Sequence, residues 1–329
     1  MESSSPDKRI LSADQYDSFS SSPISSSGFI FTTSQTLASH NQININLPSQ
    51  FKMPPLPAKY PRQIPLEVTV YGPHNALRAA NFGAKRLLLC RKGSSPVGGL
   101  TPTAQELRHL KSKIHIPISC VIRPRGAPNP SAPGESHDYV YSNSELVQMS
   151  EAIHQLKETG AMNAIRGDSF VFGCVRRSHE EAAENSCDKI VIDSAYCRYL
   201  IDMAKPFGCV FNRAFDHFAE RGNSEAVIAE LTTLGFAGIM TAGGPGLFYN
   251  HVERLDAMCH HTTNIQLIVA GGVCCPEIQK LRKRAHNHDR LSIWLNGDCL
   301  RPRDHDDPET TDMNGVMSLI DRLGLQTTD

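Results

Sequence analysis

Long apolar runs are missing from this sequence. No stretch of its 329 residues approaches the ~18 uninterrupted apolar positions of a membrane-spanning helix. A surplus of charge is missing too. Its 33 basic and 34 acidic residues leave a formal net charge of −1, so nothing electrostatic calls for a nucleic-acid or anionic-membrane partner. None of the ten cysteines forms a CxxC pair, and their scattered spacing argues against a structural zinc site or a disulfide framework. They read instead as free thiols, mostly buried, in a reducing compartment. The first residues, MESSSPDKRILSADQYDS, lack the apolar core of a secretory signal. They also carry Glu2, Asp7, Asp14 and Asp17, whereas transit peptides are poor in acids. The expected location is cytoplasmic, with the nucleus also open to it.

Residues 1–60 are rich in Ser, Thr, Asn, Gln and Pro and follow no helical or strand period. The run SFSSSPISSSG cannot bury enough apolar area to offset its ordering entropy, so a disordered tail is expected. Pro54, Pro55, Pro57, Pro61 and Pro65 mark an extended linker, and Met53 opens the part expected to fold. Residues 61–329 then read as one domain.

Within that domain, short apolar runs alternate with longer amphipathic segments. The strand-like runs are LEVTV (66–70), RLLLC (86–90), IPISCVIR (116–123), SFVFG (169–173), CVFN (209–212), GIMT (238–241), IQLIVAG (265–271) and LSIWL (291–295). Helix-like stretches separate them, several ending at a Gly just before the next strand, and a last one lies near 312–324. This alternation implies βαβ units and a parallel sheet. Eight units predict an α/β fold, a closed (β/α)8 TIM-like barrel. Two insertions, Ala127–His137 and Cys174–Lys189, follow strands on the face where such barrels build their sites, and read as surface loops or lids.

The clearest chemical signal is Arg123-Pro124-Arg125 after the third strand. Arginines at a strand terminus offer forked donors for a carboxylate or phosphate, or for a structural partner such as Glu67 or Asp216. The fifth strand runs into Asn212, Arg213 and Asp216, where the Arg and Asp can pair and the Asn can bond a ligand. Thr241-Ala242-Gly243-Gly244 and Ala270-Gly271-Gly272 are small-residue turns whose backbone N–H groups suit a phosphate. They serve equally as tight turns. Five cysteines fall at or beyond strand ends on that face: Cys90, Cys174, Cys274, Cys275 and Cys299.

Several blocks resemble the CutC copper-homeostasis family, in the family's order. They are RLLLC with GGLTP (86–102), IPISCVIRPRG (116–126) followed by DYVYS (138–142), VFG (171–173), FNRAFD (211–216), MTAGG (240–244) and VAGGV (269–273). The resemblance implies a TIM-like barrel, a role with copper and self-association into homo-oligomers. It retains Glu67, Cys90, Arg123, Arg125, Arg213, Asp216 and Thr241. It departs from the family at Thr69 for a cysteine, Tyr71 and Leu88 for acids, and Asn212 and Leu295 for histidines. Those losses remove acid–base candidates, so a non-enzymatic, Cu(I)-binding protein is expected. A soft-metal site is placed at the edge where Cys274 or Cys275 could approach Cys299, with Cys90 packed or secondary. The alternatives are a barrel holding a small anionic ligand through Arg123, Arg125 and the glycine turns, and an oligomeric scaffold.

Overall fold

The computed structural model describes residues 64–128, 138–178, 189–262, 264–273, 278, 293–301 and 307–324. The tail 1–60, Cys274 and Cys275 lie outside the described residues, as does most of each insertion. Ten strands are described: β1 (Leu66–Tyr71), β2 (Arg86–Cys90), β3 (Ile118–Val121), β4 (Ser169–Phe172), β5 (Val175–Arg177), β6 (Ile190–Ile192), β7 (Gly208–Phe211), β8 (Gly238–Thr241), β9 (Gln266–Val269) and β10 (Ile293–Gly297). Eight of them close a parallel barrel in the order β1-β10-β9-β8-β7-β4-β3-β2. The helices are α1 (Pro73–Asn81), α2 (Ala104–Leu110), α3 (Asn143–Glu158), α4 (Ser194–Ala204), α5 (Asp216–Glu220), α6 (Ser224–Leu234), α7 (Val252–Cys259) and α8 (Met313–Leu323). The architecture is the (β/α)8 barrel that the alternation implies. No described helix is long and apolar enough to cross a membrane.

Local chemistry explains the element starts. Thr103 and Ser142 each open a helix with a reciprocal capping box to Glu106 and Glu145. Asp193 caps α4 and Asp312 caps α8. Pro73 sits in the first turn of α1, where its missing N–H costs nothing. Strands such as LEVTVY and RLLLC are buried along their whole length, as strands covered on both faces must be.

Period two then sorts the side chains into two cores. Leu66, Val68 and Val70 face outward and pack with Leu87, Leu89 and the helices in a shell that runs round the barrel. Tyr71, Leu88, Cys90, Val121, Val171 and Val210 face inward and fill the barrel with Met240, Ile268 and Ala270.

One insertion is bounded by paired segments. Its flanks form the antiparallel hairpin β5–β6, registered Val175 with Ile192, because Val175, Ile190 and Ile192 are buried. Helices α5 and α7 were not evident in the sequence. In α7 the buried set is Val252, Leu255, Met258 and Cys259, a narrow stripe set among charged residues.

Candidate functional site

The inward side chains build the site from the floor upward. At the floor the Arg86 guanidinium pairs with the Glu67 carboxylate, to which Asn296 Nδ2 also donates at 2.8 Å. Arg86 Nη1 donates to Gln266 Oε1 at 2.6 Å and its guanidinium lies 4.0 Å from the centre of the Trp294 ring. Strand register explains the cluster, since Glu67 stands opposite Arg86 on one side and Asn296 on the other. Glu67 is fully buried, so this residue holds the barrel together and does not line its mouth.

Arg123 and Arg125 turn out to be clasps. Arg123 is 6% exposed and donates through Nη1 to the Val97 and Gly99 carbonyls at 2.7 and 3.2 Å. Its Nη2 takes both Asp138 carboxylate oxygens, at 2.9 and 3.1 Å. Burial works against its charge, but Asp138 outweighs this and holds the guanidinium more firmly protonated than usual. Arg125 donates to Glu145 Oε1 at 2.6 Å and to the carbonyls of Gly126, Asp138 and Val140. Together they sew the return of the long β3 loop onto the start of α3. The partner of Arg123 is Asp138, neither Glu67 nor Asp216.

The fifth barrel strand, β7, supplies the next group. Asn212 spends its amide oxygen capping the turn Arg213–Phe215, accepting from Ala214 N at 3.0 Å. Asp216 accepts from Arg213 Nε at 2.7 Å, from the Thr241 hydroxyl at 2.5 Å and from Ala242 N at 2.9 Å. This network ties β7 to β8. The side chain of Arg213 remains 35% exposed, with Nη2 on the Gly246 carbonyl at 2.8 Å. Its head lies beside Gly271, where an added Cβ would come within 3.4 Å of Nη1. Gly271 and Gly244 both have positive φ, 88° and 155°, which favours glycine in these turns. Gly243 gives its carbonyl to Arg254 and its N–H to Thr241, and Gly272 packs on Leu247.

Two groups at the mouth escaped the sequence reading. Asp298 continues the inward parity of Trp294 and Asn296 one step past β10. The residue as a whole is exposed, while its carboxyl is turned toward Thr69 and Arg213. Burial raises its carboxyl above the ordinary range, against the opposing pull of the Thr69 hydroxyl and Arg213. Tyr139 sits near Arg213 as well, its phenol pushed up to about 12, chiefly by burial. The last strand runs Ile293–Gly297, beyond the run 291–295, and this hid Asp298. The same strand corrects the reading of Leu295, which faces the helices and is no mouth position. Leu88 does face inward.

The cysteines divide by face. Cys90 looks into the barrel, against Tyr71 and the Gly99 turn, and burial raises its thiol well above the usual range. Cys120, Cys174, Cys197, Cys209, Cys259 and Cys299 pack in the outer shell. Cys299 and Leu319 of α8 lie together against the same side of Gly297. The edge site suggested for Cys274, Cys275 and Cys299 therefore rests on two residues outside the described set and one turned away from the mouth. Among the described residues no three His, Cys, Asp or Glu side chains converge as metal ligands. One thiol does not make a copper site, so the mouth as described does not fit a resident copper ion.

Residues 64–289 match the model of the CutC family. The chain belongs to the CutC family. It is similar to the copper homeostasis protein cutC homolog of Homo sapiens, 31% identical over 178 residues, 54% of each chain. The match thus spans about half the length of that relative. A CutC family protein of Xylella fastidiosa is 27% identical over 225 residues, covering 68% of this chain and 72% of its own. The solved CutC structure from Streptococcus agalactiae superimposes with a TM-score of 0.54 at 21% identity, over 71% of this chain and 99% of that one. At that identity the likeness concerns the fold.

Proposed function

We propose that this CutC barrel serves copper homeostasis, the role named for its human and Drosophila melanogaster relatives, and that its mouth binds a small carboxylate- or phosphate-bearing molecule. Arg213 carries the ligand reading. It keeps a third of its side chain exposed while Arg86 and Arg123 are buried in structural pairs. It also stands beside Gly271 in the turn after β9, the seventh barrel strand, whose loop contributes to the phosphate site in many barrels of this kind. Asp298, with its raised carboxyl, offers the same ligand a hydrogen-bond donor or acceptor.

Thermal melting with inorganic phosphate and with small dicarboxylates tests the reading. Wild-type protein should gain stability with ligand concentration, and Arg213→Ala should gain none. Arg213→Lys keeps the charge but not the fork, and should show a weakened shift. Equal shifts in all three proteins overturn the mouth site.

A further inference from the structure

We propose that Cys174 and Cys197 form a two-sulfur site for Cu(I), set in the outer shell and away from the barrel mouth. The proposal builds on the copper half of the reading above and is independent of the anion half.

Cys174 directly precedes β5, and Cys197 lies in the first turn of α4. The backbone holds the two segments together: Asp193 N donates to the Cys174 carbonyl at 3.0 Å and Cys197 N to the Asp193 carbonyl at 2.9 Å. The thiols are 1% and 0% exposed. Cys197 Sγ donates to the Cys174 carbonyl at 3.6 Å, which brings the two cysteines side by side.

Tyr141 supplies a separate observation. It is 9% exposed, its hydroxyl has no hydrogen-bond partner, and it interacts electrostatically with Cys174. Native interiors rarely leave such a hydroxyl unsatisfied. A thiolate beside it would accept its hydrogen bond. The Arg125 guanidinium lies 5.2 Å from the centre of the same ring.

The donor set selects the ion. Two sulfurs are too few for zinc, which takes four ligands in structural sites. Hard cations want oxygen, and the carboxylate here, Asp193, already accepts from Tyr196 N at 3.1 Å. A soft monovalent cation is satisfied by two thiolates. Each thiol loses its proton to solvent as its sulfur–copper bond forms. Copper stays Cu(I), and the centre carries one negative charge with two protons released. That charge falls at the N-terminal turn of an eleven-residue helix, where the backbone dipoles favour it. The third nearby thiol, Cys209, is 1% exposed and electrostatically coupled to Cys197.

Reduced full-length protein would be titrated with Cu(I) against a chromophoric Cu(I) chelator under anaerobic conditions. Wild-type protein and Cys90→Ser should withdraw one copper ion with equal affinity. Cys174→Ala and Cys197→Ala should each lose that competition. Hydrogen exchange on the unmutated protein locates the ion even where a variant folds poorly. Cu(I) should slow exchange at 174–177 and in the first turn of α4. Loss of copper in Cys90→Ser, or slowed exchange at β2 instead, overturns this site and leaves the family's copper role standing. No copper withdrawn by wild-type protein overturns both.

Discussion

Arg123 and Arg213 carry the same guanidinium just past the ends of β3 and β7, and burial gives them different roles. Arg123 is spent on two carbonyls and a carboxylate, so Arg123→Ala should cost about 3 kcal/mol, the lower end for a broken buried pair. The lower end applies because Asp138 keeps 26% exposure and can rehydrate. Urea melts check it, and a loss below about 1 kcal/mol, the scale of a single ordinary hydrogen bond, would return Arg123 to the pocket. Asp298 gives a pH signature. Its carboxyl titrates higher in the folded state than in the unfolded one, so the folded state binds more protons between the two values. Its contribution is therefore fully present below the ordinary carboxylate range and is lost as pH rises through the raised folded value. Asp298→Asn should flatten that part of the stability–pH curve. An unchanged slope would show that Asp298 is solvated like any surface acid.

At the level of elements, the β3 loop and the start of α3 behave as one unit. Asp138 binds Arg123 through its carboxylate and Arg125 through its carbonyl, while Glu145 serves both Arg125 and the Ser142 capping box. Those contacts hold the Glu145 carboxyl below its usual range despite its partial burial. Glu145→Ala should thus remove a cap and an ion pair together. We expect faster hydrogen exchange in the first turn of α3 and in 138–142, with the barrel strands unaffected. Exchange confined to the helix turn would separate the cap from the clasp. In the capping box at Thr103, Glu106 gives its other oxygen to Lys92 N at 2.8 Å and not to an arginine, and Thr103→Ala should cost about 1 kcal/mol.

For the whole molecule, the barrel closes through the floor cluster where β1 meets β10 and β2. Glu67→Ala would strand the Arg86 charge at 8% side-chain exposure, and a loss of about 3–5 kcal/mol is expected in denaturant melts. The tail makes the opposite prediction: a chain beginning at Met53 should melt at the temperature of the full chain, and a drop of several degrees would show that residues 1–52 pack on the barrel. The eight barrel strands and most helices were legible in the sequence, because apolar runs buried on both faces and Gly-terminated amphipathic stretches are local signals. The use of each inward side chain was not. Period two places Glu67, Arg123, Asn212 and Asp298 on one surface of the sheet, but their height in the barrel and their partners depend on strand stagger and on loops returning from far along the chain. Asp138 reaches Arg123 across 15 residues, and Asn296 reaches Glu67 across 229. The sequence by itself thus determined the alternation that makes a barrel and the motifs that mark the CutC family. Which charges neutralise one another inside it, and which one is left facing solvent at the mouth, was decided only when closure brought distant strands into register.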